Sequence, residues 1–340
     1  MKIVLSPDSF KECLSAASIV DAMAEAVLEL HPEAELVRMP LADGGEGTLD
    51  ILAGAFGADI RKTIVSDPLG RSVPARYGVA GQTAIIEIAQ ACGLSLLTSA
   101  ERNPLVASSR GVGELLMAAY ANGCRHFLVG LGGSATCDGG AGMVEVPGFK
   151  TLKDISVELL CDVDAPFVGP RGAARVFAPQ KGASAQDIEV LEARMCRWAD
   201  TICRETGVDV ASLPGAGAAG GLGGALMAYT HAKLVNGVSR VMELIGFDKA
   251  VEGADLILTG EGKSDAQTLM GKVPMGVLQR ANGIPVTLLS GRVENRDLLE
   301  QAGFSSVIEV SPRQLSLSQA MIPEVAIVNL RQAVKKALNF

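Results

Sequence analysis

Residues 2–40 contain "KIVLS" (2–6), "SAASIVDAMAEAVLELHP" (15–32) and "AELVRMP" (34–40): an apolar run, an amphipathic run and a second apolar run. Ser15 is placed to cap the middle segment and Pro32 to stop it, so it reads as a helix between two strands. Strand, helix and strand in this order imply a parallel pair with a right-handed crossover. The same grammar returns near the C-terminus. "ADLILTG" (254–260), "IPVTLLSG" (284–291) and "SSVIEV" (305–310) read as strands, with "VPMGVLQRAN" and "NRDLLEQAG" as helices between them. The two ends of the chain predict one sheet, with the middle inserted into it, in an α/β protein.

The middle has a different pattern. "DIRKTIVSDPLG", "SVPARYGVAG" and "QTAIIEIAQ" are short strands joined by glycine-containing turns, which predicts an antiparallel meander. Helical segments follow, notably "GVGELLMAAYANG" and "DIEVLEARMCRWADTICRETG". A length of 340 residues suggests about two domains. The chain is 48% hydrophobic and 4% aromatic, so its core is built from Ala, Val, Leu, Ile and Met. No apolar run reaches the ~20 residues that span a bilayer, and the N-terminus lacks the pattern of a signal peptide. Seven cysteines at irregular spacing predict reduced thiols and a cytoplasmic protein. A net charge of −8 without a Lys/Arg run argues against nucleic acid.

"GLGGSATCDGGAG" (130–142) follows the apolar run "HFLV" and contains six glycines. It can be read as a tight strand-to-helix turn, as the dinucleotide pattern Gly130-x-Gly132-x-x-Ala135, or as a phosphate cradle of backbone N–H groups with Ser134 and Thr136. The dinucleotide reading lacks its acidic residue about 20 positions on. A Walker loop is excluded, because neither Gly262-Lys263-Ser264 nor Gly271-Lys272 has the required earlier glycine. Similar loops recur: Asp43-Gly-Gly-Glu-Gly47, Gln180-Lys181-Gly182, "PGAGAAGGLGG" (214–224) and "TGEGKSDAQTLMGK" (259–272). Each stands where open α/β sheets bind ligands, and their acids and lysines suit magnesium and phosphate.

"SPDSFKECLSA", "ADGGEGT", "GLGGSATCDGGAGM", "CDVDAPFVGPRGAARVFAPQKGA", "PGAGAAGGLGGALMA" and "TGEGKSDAQTLMGKVPMGV" occur in that order along essentially the whole chain. Together they resemble the type 1 glycerate kinase family. The resemblance implies ATP- and Mg2+-dependent phosphorylation of D-glycerate to 2-phospho-D-glycerate, in glycerate, glyoxylate or glucarate catabolism. It also implies a discontinuous Rossmann-like domain, set here at 1–58 and 250–340, with an α/β domain inserted at 59–249. Two departures stand out. Position 137 is Cys where the family has Asn or another small residue, and a family segment after "GAGM" is nearly absent. The abrupt seam there predicts that Val146 and Pro147 are not joined in the native protein.

Each candidate residue has an ordinary reading beside the functional one. Asp8, Ser9 and Lys11 follow the first strand as caps or ligands, and the family's "PDS[FY]K" match favours ligands, with Lys11 on the glycerate carboxylate or a phosphate. Asp43 and Glu46 share a three-glycine turn, an arrangement that suits a nearby cation. Gly132, Gly133, Ser134, Thr136, Gly220, Gly221 and Lys272 are candidates for ATP phosphates. Asp138 is a helix cap or a metal ligand, and Asp162 and Asp164 are turn residues or magnesium ligands. Lys181 is either solvated or placed to meet the charge of the transferring phosphate. Glu261, a further metal candidate, groups with Asp265 and Lys272, and Asp43 or Asp265 is the candidate base. Arg71 and Arg110 are reserves for the substrate carboxylate. His31, His126 and His231 lie outside these loops, which removes a Ser-His-Asp hydrolase. The rivals are phosphorylation at C3, another non-Walker small-molecule kinase, an NAD-dependent 2-hydroxy-acid dehydrogenase and a solute-binding protein. The expected partners are D-glycerate and ATP, with no membrane, no nucleic acid and a possible homo-oligomer.

Overall fold

The structure, a computed structural model, describes residues 1–338. Among these the strands are β1 (Lys2–Leu5), β2 (Glu35–Arg38), β3 (Asp59–Ser66), β4 (Ser72–Ala80), β5 (Thr83–Glu87) and β6 (His126–Gly130). They continue as β7 (Ser156–Leu160), β8 (Lys233–Val235), β9 (Leu256–Ser264), β10 (Val286–Val293) and β11 (Ser306–Glu309). The chain divides into two compact units. One comprises Met1–Asp43 with the chain from Val238 onward, and the other is Gly44–Gly237.

The first unit holds an all-parallel sheet in the order β11-β10-β9-β1-β2. The chain steps outward from β1 to β2, then returns on the other side of β1 with β9. The switch point therefore lies between β1 and β9, where such sheets bind ligands beyond the strands' carboxyl ends. The helix Ala16–Leu30 is capped by Ser15, whose Oγ accepts from the Ser18 N–H at 3.1 Å. Its inner face, Ile19, Met23 and Val27, is buried in one core with Leu330 and Val334 of the helix Pro323–Leu338 and with Ile3 and Leu258 of the sheet. Each such side chain contributes roughly 1.5–3 kcal/mol.

The second unit holds the sheet β3-β4-β5-β6-β7-β8. The meander β3-β4-β5 is antiparallel, and β5 to β8 are parallel. Its core contains Tyr77, Ile86, Val112, Leu115, Phe127 and Leu159.

Three expectations change. The units divide at 43/44 and 237/238, whereas the sequence reading placed the boundaries at 58/59 and 249/250. The helix Thr48–Phe56 packs on β4 and β5 of the second unit. The helix Gly237–Leu244 belongs with Val273–Arg280, where a Cβ on Gly276 would lie 2.5 Å from Val238. The chain also runs unbroken through Val146–Pro147. Val146 and Phe149 are both buried, and the Phe149 N–H donates to the Val146 carbonyl at 3.0 Å, with Gly148 at φ 87° closing the turn. Finally, "TGEGKS" is not a loop. β9 runs on to Ser264, paired with β10 as far as Val293. A Cβ at Gly260 would lie 2.1 Å from the Leu289 carbonyl oxygen, and one at Gly291 2.5 Å from that of Gly262, so these glycines let two backbones meet.

Candidate active site

In the first unit, the loop after β1 and the end of β9 line a cavity of about 310 Å³. Asp8, Ser9, Lys11, Asp43, Glu261 and Lys272 all line it, bringing together residues that the sequence places in three separate clusters. The Asp8 N–H donates to the Gly260 carbonyl at 2.8 Å, fixing the loop against β9. The Asp8 carboxylate is 6% exposed and accepts the Ser9 N–H at 2.7 Å. Burial, then the Asp43 carboxylate, push its pKa up to about 7, against the pull of that hydrogen bond and of Lys11. Lys11 Nζ lies 3.9 Å from Asp43 Oδ2. The Ser9 hydroxyl is buried without a hydrogen-bond partner.

Glu261 is held firmly. It accepts from Thr268 Oγ1 at 2.6 Å and Ser264 Oγ at 2.9 Å, and Lys272 Nζ lies 3.5 Å away. Burial raises its pKa and these three groups lower it. Asp265 does not line the cavity; its carboxylate accepts the Gln267 N–H and lies 3.6 Å from Lys263. Arg292 lines the cavity and was not singled out from sequence. Its signal was the "SGR" (290–292) that closes a buried strand, which the pairing of Arg292 with Lys263 carries alongside β9.

In the second unit the glycine loops interlock. A Cβ on Gly130 would lie 2.4 Å from the Gly44 carbonyl oxygen, one on Gly132 2.4 Å from Gly45 Cα, and one on Gly220 2.0 Å from the Thr136 carbonyl oxygen. The Gly132 N–H donates to the Gly44 carbonyl, and the Gly139 N–H to that of Gly220. Gly221 packs on Gly139 and on Phe167 in the same way. The space a dinucleotide would need above Gly132 is thus filled by the chain itself, and the fingerprint reading falls. Gly133, at φ 74°, turns the chain toward Ser134.

Beneath this loop lies Lys181, 2% exposed, on the turn Pro179–Lys181. Its ammonium donates to Ser134 Oγ at 2.8 Å and to the Thr136 carbonyl at 2.7 Å. Burial lowers its pKa. Cys137 is buried beside it, and burial raises that thiol's pKa, so Cys137 brings no negative charge near neutral pH. Thr136 Oγ1 is buried without a partner. The reading of Lys181 as a solvated lysine is therefore wrong.

The candidate metal ligands are not brought together. Asp138 accepts the Ser109 N–H and hydroxyl and the N–H groups of Gly140 and Gly142, so it organises the loop as a cap. Asp162 accepts the Gly237 N–H and pairs with Asn236, and Asp164 is exposed. Among the described residues no three His, Cys, Asp or Glu stand close enough to hold a metal by themselves. Arg71 is bound to Asp67 and Glu101, and Arg110 to Glu114, all within the second unit. Glu46 is exposed there. No helix among the described residues is long and apolar enough to cross a membrane.

A model of the glycerate kinase family matches residues 3–154 and 148–340. The chain belongs to the glycerate kinase family. The two matched stretches overlap at residues 148–154. The chain is 39% identical over 344 residues to the glycerate 2-kinase of Escherichia coli K12, covering 91% of this chain and 90% of that protein. It is 38% identical over 354 residues to the glycerate kinase of Bacillus subtilis 168, with 94% and 93% covered. A crystal structure from Salmonella typhimurium LT2, described as "putative glycerate kinase 2", superposes with a TM-score of 0.83 at 38% identity, covering 100% of this chain and 97% of that one.

Proposed function

We propose that this member of the glycerate kinase family transfers the terminal phosphoryl group of ATP to the C2 hydroxyl of D-glycerate, giving 2-phospho-D-glycerate and ADP. The family match over the whole chain supports the reaction, and the name of the Escherichia coli relative supports the C2 product. The structural observation that carries the reading is the buried Asp8 carboxylate in the cavity, with a pKa near neutrality. Such a group takes a proton from a hydroxyl as the phosphorus–oxygen bond forms.

In this reading Asp8, rather than Asp265, is the base, because Asp265 is turned into its own turn. Lys11 clamps the glycerate carboxylate and so presents C2, one carbon away. Burial, the largest cause of its raised pKa, keeps Asp8 basic, and Asp43 stands 3.9 Å from Lys11. Lys272 meets phosphate charge in the cavity, and in the second unit Lys181 with Ser134 forms a dry cationic group suited to an anion. A phosphoryl group leaves with its charge spread over its oxygens, so positioning and fixed cations supply most of the catalysis.

Mg2+ in nucleotide enzymes is held by one or two carboxylates together with phosphates and water. Asp43 and Glu261 suit that limited role, and Mg2+ would neutralise phosphate charge there. The seven cysteines are all unpaired, in keeping with a cytoplasmic protein. A coupled ADP-release assay with D-glycerate tests the reaction, and phosphorus–proton coupling in the product tests the position. Coupling to a CH supports C2; coupling to a CH2 moves the product to C3 and leaves the kinase standing.

A further inference from the structure

The cavity of the first unit is large for a three-carbon acid. Its volume of about 310 Å³ falls in the range that takes ligands several times that size. Its lining also changes character along the sheet. The charged residues come from the loop after β1 and the end of β9, and Arg292 from β10. Beyond β11 the wall is apolar: Val310, Leu317, Ala320, Met321 and Ala326. β11, β10, β9 and β1 are neighbours in that order, so the apolar residues after β11 follow the strand farthest from β1 on that side of the sheet. Leu317 is 69% exposed, a large apolar side chain left in water at the cavity rim.

That end offers contact area and few groups that could read a hydrogen-bonding edge. The Val310 and Ser311 N–H groups are already donated to the Ser290 and Gly291 carbonyls. Ser311 carries the only side-chain hydroxyl among the lining residues from Val310 onward. An occupant of this end is therefore held by packing, and it must be continuous with something anionic near Lys272 and Lys11. A nucleoside triphosphate has this chemistry, with a flat, largely apolar base at one end and phosphates at the other.

We propose that the apolar end beyond β11 takes the base of the phosphoryl donor and discriminates little between bases, an inference that rests on the kinase reading above. Apolar pockets separate related ligands by about 10–200-fold, whereas sites that hydrogen-bond a polar edge reach 10⁴ or more.

The test is equilibrium binding to the full chain, using MgADP, MgGDP, MgCDP and inorganic triphosphate, for the native protein, Leu317→Asp and Leu317→Ala. Leu317 is exposed at a helix start capped by Ser316, where an aspartate is tolerated. The three nucleotides are expected to bind within about tenfold of one another. Leu317→Asp should weaken all three tenfold or more, Leu317→Ala should weaken them less, and both should leave triphosphate unchanged. A preference for ADP beyond about 200-fold overturns the proposal. So does nucleotide binding indifferent to Leu317→Asp, or an effect of that variant on self-association alone. If no glycerate-dependent ADP release occurs in the native protein, the kinase reading fails first; release that persists with nucleotide binding unaffected by Leu317→Asp sinks only the base site.

Discussion

The Lys181 ammonium donates to Ser134 Oγ at 2.8 Å, joining positions 47 residues apart beneath the glycine loop. Among the described residues no carboxylate forms an ion pair with it. A buried ammonium held by a hydroxyl, a carbonyl and the neutral Cys137 thiol, with the Asp138 carboxylate acting only through space, keeps much of its field for an incoming anion. Replacing Lys181 with Met should lower kcat and kcat/KM together, by about 10²–10³-fold. Thermal stability should hold or rise, since a buried charge is removed. A raised KM for ATP with kcat spared would make Lys181 a ground-state contact, and unchanged kinetics would remove it from the reaction.

Asp8 binds its proton more tightly in the folded chain than in the unfolded one, at about 7 against an ordinary 3.8. The stability contributed by that proton is full below about pH 4 and is lost as pH rises to 7. The reaction needs the opposite form, so kcat/KM should climb through pH 7. Asp8→Asn should lower kcat at least 10²-fold and flatten the loss of stability. At pH 8 it should raise stability by an amount on the order of 1–2 kcal/mol. Denaturant titrations at pH 5 and pH 8 measure the second effect. If the native protein shows no difference there, Asp8 is not protonated in the folded state.

Gly132→Ala places a methyl 2.4 Å from Gly45 Cα, a contact that only backbone movement can relieve. It should destabilise by about 2–3 kcal/mol. Gly54 is exposed inside the helix Thr48–Phe56, with nothing near its absent Cβ, so Gly54→Ala should stabilise by about 0.5–1 kcal/mol. Urea denaturation of the pair separates contact from backbone entropy. Equal behaviour would mean that the two glycine loops do not touch.

Trp198 is the single tryptophan, and its N–H donates to the Gly139 carbonyl at 2.9 Å. A Cβ on Gly139 would lie 2.6 Å from the indole Cδ1, so the ring rests directly on the loop that carries Ser134 and Asp138. Its fluorescence should change on adding MgATP with glycerate, and Lys181→Met should reduce the change. An identical response from Lys181→Met would mean that the indole senses binding elsewhere.

Much of this was legible in one dimension. The helix 16–30 announces itself by Ser15, a repeating apolar face and Pro32, because capping and amphipathicity are local physics. The meander 59–87 does so by alternation and turn glycines. The ordered motifs carried the family, and Asp8, Lys11, Asp43, Glu261 and Lys272 stood out as separate candidates from residue type, strand-end position and the family motifs.

Tertiary structure decided what surrounds those residues. Alternation along a strand does not specify its neighbours. Only the sheet order placed β1 beside β9, bringing residues about 250 positions apart into one cavity and Arg292 along with them. Glycine patterns did not distinguish space for a ligand from space for another backbone. Gly130 and Gly132 proved to admit Gly44 and Gly45, and Gly260 to admit Leu289. Solvation also depends on what packs over a side chain after folding. Sequence leaves Lys181 either solvated or aimed at phosphate, and folding buries it under the loop 134–137, while Asp8 moves from an ordinary acid to a base near neutrality by burial and the nearby Asp43 charge.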